Sequence, residues 1–367
     1  MNRIPRLASF AKQLLGTAGD PAKVFRGCRS CPDRLSSVAS RAGADWAPEF
    51  PVDVVYAWVD GSEEAHAGRR RQYAAMLADS HAENLDPARF RDNGELRYSL
   101  RSLEQFAPWV NRIHIVSDSQ TPPWLDVSHP RIAMVRHEDV IPERHLPTFN
   151  SHVIESRLHR IPGLSEHYLY FNDDFFLTNR AEKGDFFTAN GLPFLFCDWR
   201  RSRRLGYCAN PTPHAASWFN TIQYMKERGL ALRTPPVTAH GPYPMTRACA
   251  EAAFAFFGKA IEEFSANKFR TTREMAFYCH AAPLWAYAVR RAVPCDRSFY
   301  YFNVHRHDRR RYYQALLSPE ARDELPLFIC CNDIDDSWLP SGGRRDLASF
   351  LSAFYKTPSA FEKEHRS

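Results

Sequence analysis

The sequence predicts an α/β protein with a Rossmann-like, mostly parallel sheet that carries a helical and irregular insertion. Short apolar runs, the pattern of strands buried on both faces, alternate with amphipathic helix patterns over the first half of the chain. Alternation of strand, helix and strand indicates parallel strands joined by right-handed crossovers. Two of the apolar runs also break abruptly into acidic turns, and ligands of such sheets gather at the carboxyl ends of the strands.

Each element is predicted from its own pattern. Strands are predicted over 52–59, 112–117, 131–136 and 168–171, and a further strand over 328–331. Helices are predicted over 94–106 and 151–160, and a closing amphipathic helix carries Leu347, Phe350, Leu351 and Phe354. The helix at 94–106 places Leu96, Leu100, Leu103 and Phe106 on one stripe, and Pro108 ends it.

The same patterns divide the chain into a leader, residues 1–48, and a single domain, residues 49–364. Within the domain, residues 49–184 form the regular α/β part, residues 185–325 an insertion with Pro-rich loops, and residues 326–364 the closing strand and helix. Residues 1–15 of the leader place apolar side chains near helical spacing with basic residues between them. Two interpretations stay open, a basic amphipathic helix on an anionic membrane surface and an added packing helix.

Composition bounds the class of protein. The 367 residues carry a formal net charge of +6, and basic clusters at 69–71, 200–204 and 305–311 suit anionic ligands. Because no nucleic-acid-binding module is recognisable, we expect no nucleic-acid partner. No apolar run approaches the roughly 18 residues that a membrane span needs. Nine scattered cysteines without a signal peptide predict reduced thiols in a cytoplasm, and Cys28 with Cys31 has the spacing of only half a zinc site.

Acidic residues follow three of the predicted strands. Asn172, Asp173 and Asp174 come directly after the run 168–171, Asp60 and Gly61 follow 52–59, and a third acidic segment follows 328–331. Adjacent carboxylates at strand ends can hold a divalent metal ion or act as an acid/base pair, whereas acidic turn residues can also be plain solvent-facing loops. The repetition favours one shared site.

Four blocks of sequence contain the segments 53–62, 91–104, 146–150, 170–174, 240–244, 268–275, 328–333 and 358–362. Together these blocks resemble the Stealth family of sugar-1-phosphate transferases, which includes bacterial capsule polysaccharide polymerases and the animal N-acetylglucosamine-1-phosphotransferase. The resemblance implies a glycosyltransferase-like fold in which 49–184 binds a nucleotide sugar such as UDP-GlcNAc and 185–325 faces the glycan acceptor. It also implies transfer of a hexose-1-phosphate, of the N-acetylhexosamine kind, to a glycan hydroxyl. The short spacers resemble the compact capsular enzymes.

The resemblance also implies site residues. Catalytic roles fall on Asp174, His240 and Arg270, and nucleotide-sugar contacts on Asp60, Gly61, Arg97 and Asn172. Metal ligands for Mg²⁺ or Mn²⁺ are expected at Asp333 and Asp173. A neutral imidazole can accept a proton and a guanidinium can neutralise a diphosphate, although a structural histidine and a surface ion pair are the ordinary alternatives. Asp173 ranks lower, because adjacent strand residues face opposite sides.

Two other functions stay open. Asp333 and Asp335 also fit the loose Asp-x-Asp pattern of a conventional glycosyltransferase, which would transfer only the sugar and release a nucleoside diphosphate. A non-catalytic glycan-binding subunit is the alternative from a different class. For the phosphotransferase we expect a nucleoside monophosphate as product, a lipid-linked glycan as one acceptor, and a place in the cytoplasm or at the inner membrane face. Either Asp174 or His240 serves as the base.

Overall fold

The computed structural model describes residues 48–77, 87–198, 212–295, 299–333 and 342–363. The strands are β1 (Val52–Ala57), β2 (Ile113–Ser117), β3 (Ile132–Arg136), β4 (His167–Asn172), β5 (Phe175–Leu177), β6 (Phe194–Phe196), β7 (Tyr243–Thr246), β8 (Val293–Cys295), β9 (Phe299–Asn303) and β10 (Phe328–Asn332). The helices are α1 (Glu64–Ala74), α2 (Glu95–Phe106), α3 (His137–Val140), α4 (Ser151–Glu155), α5 (Pro213–Glu227), α6 (Arg247–Ser265), α7 (Ala282–Ala288), α8 (Arg309–Leu317) and α9 (Gly343–Phe354). Almost all of the leader, with Cys28 and Cys31, the basic run at 200–204 and Asp335 lie outside these residues.

The main sheet has five strands in the order β3-β2-β1-β4-β7. Its first four strands are parallel, with Val54 of β1 opposite Ile113 of β2 and Leu169 of β4. β7 closes the edge antiparallel to β4, although it comes from the segment predicted as an insertion. The α/β class and the strands predicted at 52–59, 112–117, 131–136 and 168–171 are confirmed, because their apolar side chains are buried between helices on both faces.

A second sheet of three strands has the order β5-β10-β9. β10, predicted from the run 328–331, therefore lies outside the main sheet, antiparallel to β5 and parallel to β9. Its backbone still meets the end of β4, because the Cys331 amide donates to the Asp174 carbonyl over 3.1 Å. Asp174 thus lies where the two sheets come together.

Helix α2 ties the two sheets to each other. Its apolar stripe is buried, with Leu100 fully so, as the sequence pattern predicted. On the same helix the Ser99 hydroxyl donates to the carbonyl of Phe175 in β5, and the Tyr56 hydroxyl of β1 lies 2.7 Å from Ser99. The closing helix α9 buries Leu347 against the second sheet. Within the described residues, no helix is both long and apolar enough to cross a membrane.

Candidate active site

The two sheets bring Asp174 and His240 together beside β10. One ligand atom from each of Asp174, His240 and Cys330 lies within 4.8 Å of the other two. Asp174 Oδ2 accepts hydrogen bonds from Cys330 Sγ and from Asn332 Nδ2, both at 3.3 Å. Residues distant in sequence therefore bring a carboxylate, an imidazole and a thiol close together, and the catalytic roles of Asp174 and His240 stay predictions.

The two carboxylate oxygens of Asp174 differ, because within the part of the chain that the structure describes only Oδ2 accepts hydrogen bonds. Its Oδ1 is buried and has no hydrogen-bond partner among the described residues. Burial raises the pKa of Asp174 to about 6, because the charged form is poorly solvated and the bonds from Cys330 and Asn332 offset only part of that cost. A buried carboxylate oxygen without a donor is a position that a cation can complete.

Asp173 lies close to three further carboxylates, Asp174, Glu95 and Asp92, and the last two were not singled out from the sequence. Burial raises the pKa of Glu95 to about 7, although Asn93 donates to its carboxylate through both its backbone and its side-chain nitrogen. Burial also raises the pKa of Asp173, and the negative charges of Glu95, Asp174 and Asp92 raise it further. The role of Asp173 as a metal ligand stays a prediction. These four carboxylates form an acidic cluster whose mutual repulsion a divalent cation would relieve.

Asp333 lies beside the acidic cluster but is surrounded by cations. Its Oδ1 is 2.8 Å from His305 Nε2, and its Oδ2 accepts from Arg91 Nη1 over 2.9 Å and lies 3.3 Å from Arg344 Nε. Burial alone would raise the pKa of Asp333, but the bonds from His305, Arg91 and Asn93 lower it overall. We call His305, Arg91 and Arg344 the cationic cluster, after its two guanidinium groups. The role of Asp333 as a metal ligand stays a prediction.

His240 is oriented by a chain of hydrogen bonds. The Tyr243 hydroxyl donates to Cys279 Sγ over 3.3 Å, and His240 Nδ1 lies 3.0 Å from the same hydroxyl. Since Tyr243 gives its only proton to the sulfur, Nδ1 of His240 is the donor, and its Nε2 carries the lone pair. The edge of the ring packs against Phe175, and Tyr301, which is 41% exposed, lies 5.6 Å away between ring centroids.

Arg270 is held at the start of α4. Its Nε donates to the Ser151 hydroxyl over 2.9 Å, and Nη2 contacts the same oxygen and lies 4.0 Å from Glu155. Burial raises the pKa of Glu155 to about 7, and Arg270 offsets part of that rise. The segments 146–150 and 268–275 pack together here, because Asn150 donates to the buried carboxylate of Glu274. The guanidinium is thereby fixed next to the parallel strands.

The predicted nucleotide-sugar residues have different environments. Asn172 ends β4 opposite Ala57 of β1, and Asp60 caps the following turn by accepting from Ser62. Gly61 is required sterically, because a Cβ there would lie 2.2 Å from the carbonyl oxygen of Phe90. These three residues stay predicted donor contacts.

Arg97, in contrast, is paired with the buried carboxylate of Glu362, which also binds Arg101 over 2.6 Å. This ion pair joins α2 to the last block of the resemblance. Asp53, the first residue of the first block, is likewise structural, since its carboxylate accepts from Asn111 and from the Ser165 amide at the opposite end of β1.

The donor set fits a hard divalent cation. Oxygen ligands are available from Asp174, whose Oδ1 is buried without a partner, and from Asp173 and Glu95 in the acidic cluster. Mg²⁺ and Mn²⁺ prefer such oxygens, whereas the nearby Cys330 thiol adds a soft atom that they avoid. The residues that would hold the ion are therefore those at the end of β4.

Comparisons with known proteins agree with the first two of the four sequence blocks. The family model described as Stealth protein CR1, conserved region 1, matches residues 50–78, and that of CR2, conserved region 2, matches residues 89–195. The chain is 39% identical to an exopolysaccharide phosphotransferase of Streptomyces coelicolor, over 100% of this chain and 60% of that protein's length.

It is also 32% identical to a capsular polysaccharide phosphotransferase of Neisseria meningitidis, over 84% of each chain. Among solved structures, the galactosyltransferase LgtC in complex with donor and acceptor sugar analogues is 12% identical. It has a TM-score of 0.44 and covers 84% of this chain and 97% of its own.

Proposed function

Because the chain belongs to the Stealth family, we propose that it transfers a hexose-1-phosphate from a nucleotide sugar to a hydroxyl group of a glycan. The similar proteins are named capsular and exopolysaccharide phosphotransferases, which supports a phosphodiester-linked polysaccharide as product. The donor we propose is a UDP-sugar such as UDP-GlcNAc, the group transferred is N-acetylhexosamine-1-phosphate, and the nucleotide released is the monophosphate.

One observation carries this proposal, the convergence of Asp174 and His240 at the junction of the two sheets. Their ligand atoms lie within 4.8 Å of each other, and the acidic and cationic clusters flank them. Phosphoryl transfer requires positioning, charge neutralisation and a base near the attacking hydroxyl. This junction supplies groups for all three requirements.

The reaction we propose is a displacement at phosphorus. The acceptor hydroxyl oxygen attacks the phosphorus that bears the sugar, an O–P bond forms, and the bond from that phosphorus to the bridging oxygen breaks. The nucleoside monophosphate leaves with the bridging oxygen, and the hydroxyl proton passes to His240 Nε2, whose lone pair is fixed by Tyr243. Asp174, with a pKa of about 6, is the second group that could take this proton.

We propose that a metal ion and arginine side chains together neutralise the negative charge of the donor diphosphate. An Mg²⁺ or Mn²⁺ ion held by Asp174 and Asp173 would neutralise the negative charge of the diphosphate. Arg270 is fixed by Ser151, so its planar fork is available to a phosphate without a large loss of side-chain freedom. Arg91 and Arg344 of the cationic cluster lie next to Asp333 and provide further positive charge.

The released nucleotide tests the proposal directly. The purified chain is incubated with a panel of nucleotide sugars, a glycan acceptor and Mg²⁺, and the nucleotide products are separated by ion exchange. Release of the monophosphate that depends on Asp174 and His240 supports the phosphotransferase. Release of the diphosphate would identify the conventional glycosyltransferase instead, and no turnover with any donor would favour the glycan-binding subunit.

Matched variants locate the chemistry. His240→Asn keeps a side chain of similar polarity without the basic nitrogen, and Asp126→Asn changes a carboxylate in a surface turn near Ser128. We expect His240→Asn to lose at least about two orders of magnitude in turnover and Asp126→Asn to retain it. Lipid-linked acceptors and a position at the inner membrane face belong to the same proposal, and the acceptor panel includes a lipid-linked glycan for that reason.

A further inference from the structure

We propose that His214, Cys279 and His280 form a second metal site, for Zn²⁺, separate from the Mg²⁺ or Mn²⁺ site at the end of β4. One ligand atom from each of the three residues lies within 4.8 Å of the other two. Cys279 and His280 are buried, and His214 is half-buried. This site is independent of the proposed transferase function, because it is argued from ligand geometry alone.

The local fold presents these three residues to one point. Cys279 and His280 are neighbours in a π-helical turn, Phe277–Ala281, which continues directly into α7. Such turns are rare and occur often at functional sites. His214 is the second residue of α5, and its ring lies 5.1 Å from that of His280 between centroids.

A hydrogen bond from Thr238 sets the tautomer of His280. The Thr238 hydroxyl donates its single proton to the Cys279 carbonyl and lies 3.2 Å from His280 Nδ1. Nδ1 of His280 must therefore be the donor, which leaves the lone pair on Nε2. Metal-binding histidines are typically oriented in this way, by a bond from the second ring nitrogen to an oxygen atom.

The sulfur of Cys279 is also prepared as a ligand. Tyr243 donates to Cys279 Sγ over 3.3 Å, and this hydrogen bond holds the sulfur in place. Two imidazoles and one thiolate select Zn²⁺ over Mg²⁺, which prefers oxygen ligands. Three protein ligands leave a fourth tetrahedral position for water. Since Tyr243 bridges Cys279 and His240, the ion would lie directly behind the histidine of the active site.

Metal content of the full chain tests this site. After equilibrium dialysis against micromolar Zn²⁺ with excess Mg²⁺, elemental analysis should find close to one zinc ion per chain. Cys279→Ser and His280→Ala should weaken zinc binding at least about tenfold, and Thr238→Val by about 10- to 100-fold through the lost orienting bond. Cys249→Ser removes a buried cysteine on α6 outside the cluster and should retain zinc.

Two further results decide the proposal even where a variant folds poorly. The unaltered chain loaded with Co²⁺ should show a thiolate-to-cobalt charge-transfer band and the visible absorption of a tetrahedral ion. Absence of bound zinc in the dialysed chain, or a cobalt spectrum of six-coordinate oxygen ligands only, would overturn the site. Zinc that is retained by Cys279→Ser but lost in Asp174→Asn would place the ion with Asp174, His240 and Cys330 and would also contradict the proposal.

Discussion

Replacement of Asp174 by Asn separates the chemistry of the site from its stability. The pKa of Asp174 is raised from 3.8 to about 6, so the ionised carboxylate destabilises the folded chain by about 3 kcal/mol at pH 8. Asn removes this charge at nearly constant volume. Its amide oxygen must accept from Asn332, however, so its nitrogen takes the buried position of Oδ1 without a partner, which costs about 1–3 kcal/mol. The variant should therefore be as stable as the parent chain, or slightly more stable, at pH 8.

The sign of the pH dependence follows from the raised pKa. Between about pH 4 and pH 6 the folded parent chain binds more protons at Asp174 than the unfolded chain, so its stability falls as the pH rises through this window. The Asp174→Asn variant lacks this group and escapes the loss. In the presence of chelator, the Tm of the variant minus that of the parent should become more positive by about 3 °C from pH 4.5 to pH 8.

The Asp174→Asn variant should lose activity although it does not lose stability. We expect Asp174→Asn to lower turnover by at least about two orders of magnitude, because the amide can neither hold the metal ion firmly nor accept a proton. Mg²⁺ should raise the Tm of the parent chain and leave that of the variant unchanged. The measurements are thermal unfolding at several pH values and initial rates of nucleotide release, with Asp126→Asn as control. A Tm difference that does not change with pH would refute the raised pKa, and near-parental turnover would remove Asp174 from the mechanism.

Four further predictions concern other parts of the molecule. Exhaustive chelation should abolish nucleotide release and added Mg²⁺ or Mn²⁺ should restore it, so full activity without metal would contradict the metal assignment. Arg270→Lys should lower kcat/KM by about 10- to 100-fold through loss of the planar fork, while Arg180→Lys at an exposed ion pair should not. Gly61→Ala should lower the Tm because its Cβ collides with Phe90, whereas Gly68→Ala in α1, where the Cβ meets nothing, should not; equal Tm values would contradict the steric argument. Removal of the leader should leave soluble turnover intact and weaken binding to anionic liposomes, and loss of turnover alone would show that the leader supports the catalytic fold.

The parts of the fold that were predictable are those encoded in local periodicity. The stripe that contains Leu100 and the buried run of β4 need only the repeat of apolar residues, and both elements form where the pattern placed them. The sequence does not reveal the second sheet, because the apolar pattern of β10 predicts a buried strand but does not specify which strands pair with it. Its partners, β5 and β9, are chosen by tertiary packing.

The candidate site residues that the sequence could indicate are those with a reactive side chain at a strand end or in a block of the family resemblance. Asp174 stands at an abrupt strand end, and His240 stands in a block of the family resemblance. Glu95 was missed because it starts an ordinary amphipathic helix, and only burial, which raises its pKa to about 7, distinguishes it from a surface residue. Its position in the block 91–104 was the one available signal. Arg97 was predicted as a donor contact from the family resemblance, and the sequence pattern does not show that Glu362 lies opposite it.

The electrostatic layout of the site explains why its carboxylates carry such different proton affinities. Asp92, Glu95, Asp173 and Asp174 share a buried region in which each negative charge raises the pKa of another, or burial raises it outright. Asp333 shares the donor Asn93 with Glu95, yet the hydrogen bonds from His305 and Arg91 help to lower its pKa. The site therefore has a negatively charged side, the acidic cluster, and a positively charged side, the cationic cluster. A nucleotide diphosphate with a bound divalent cation presents the complementary pair of charges, so binding of the ion and binding of the donor should each increase the affinity of the other.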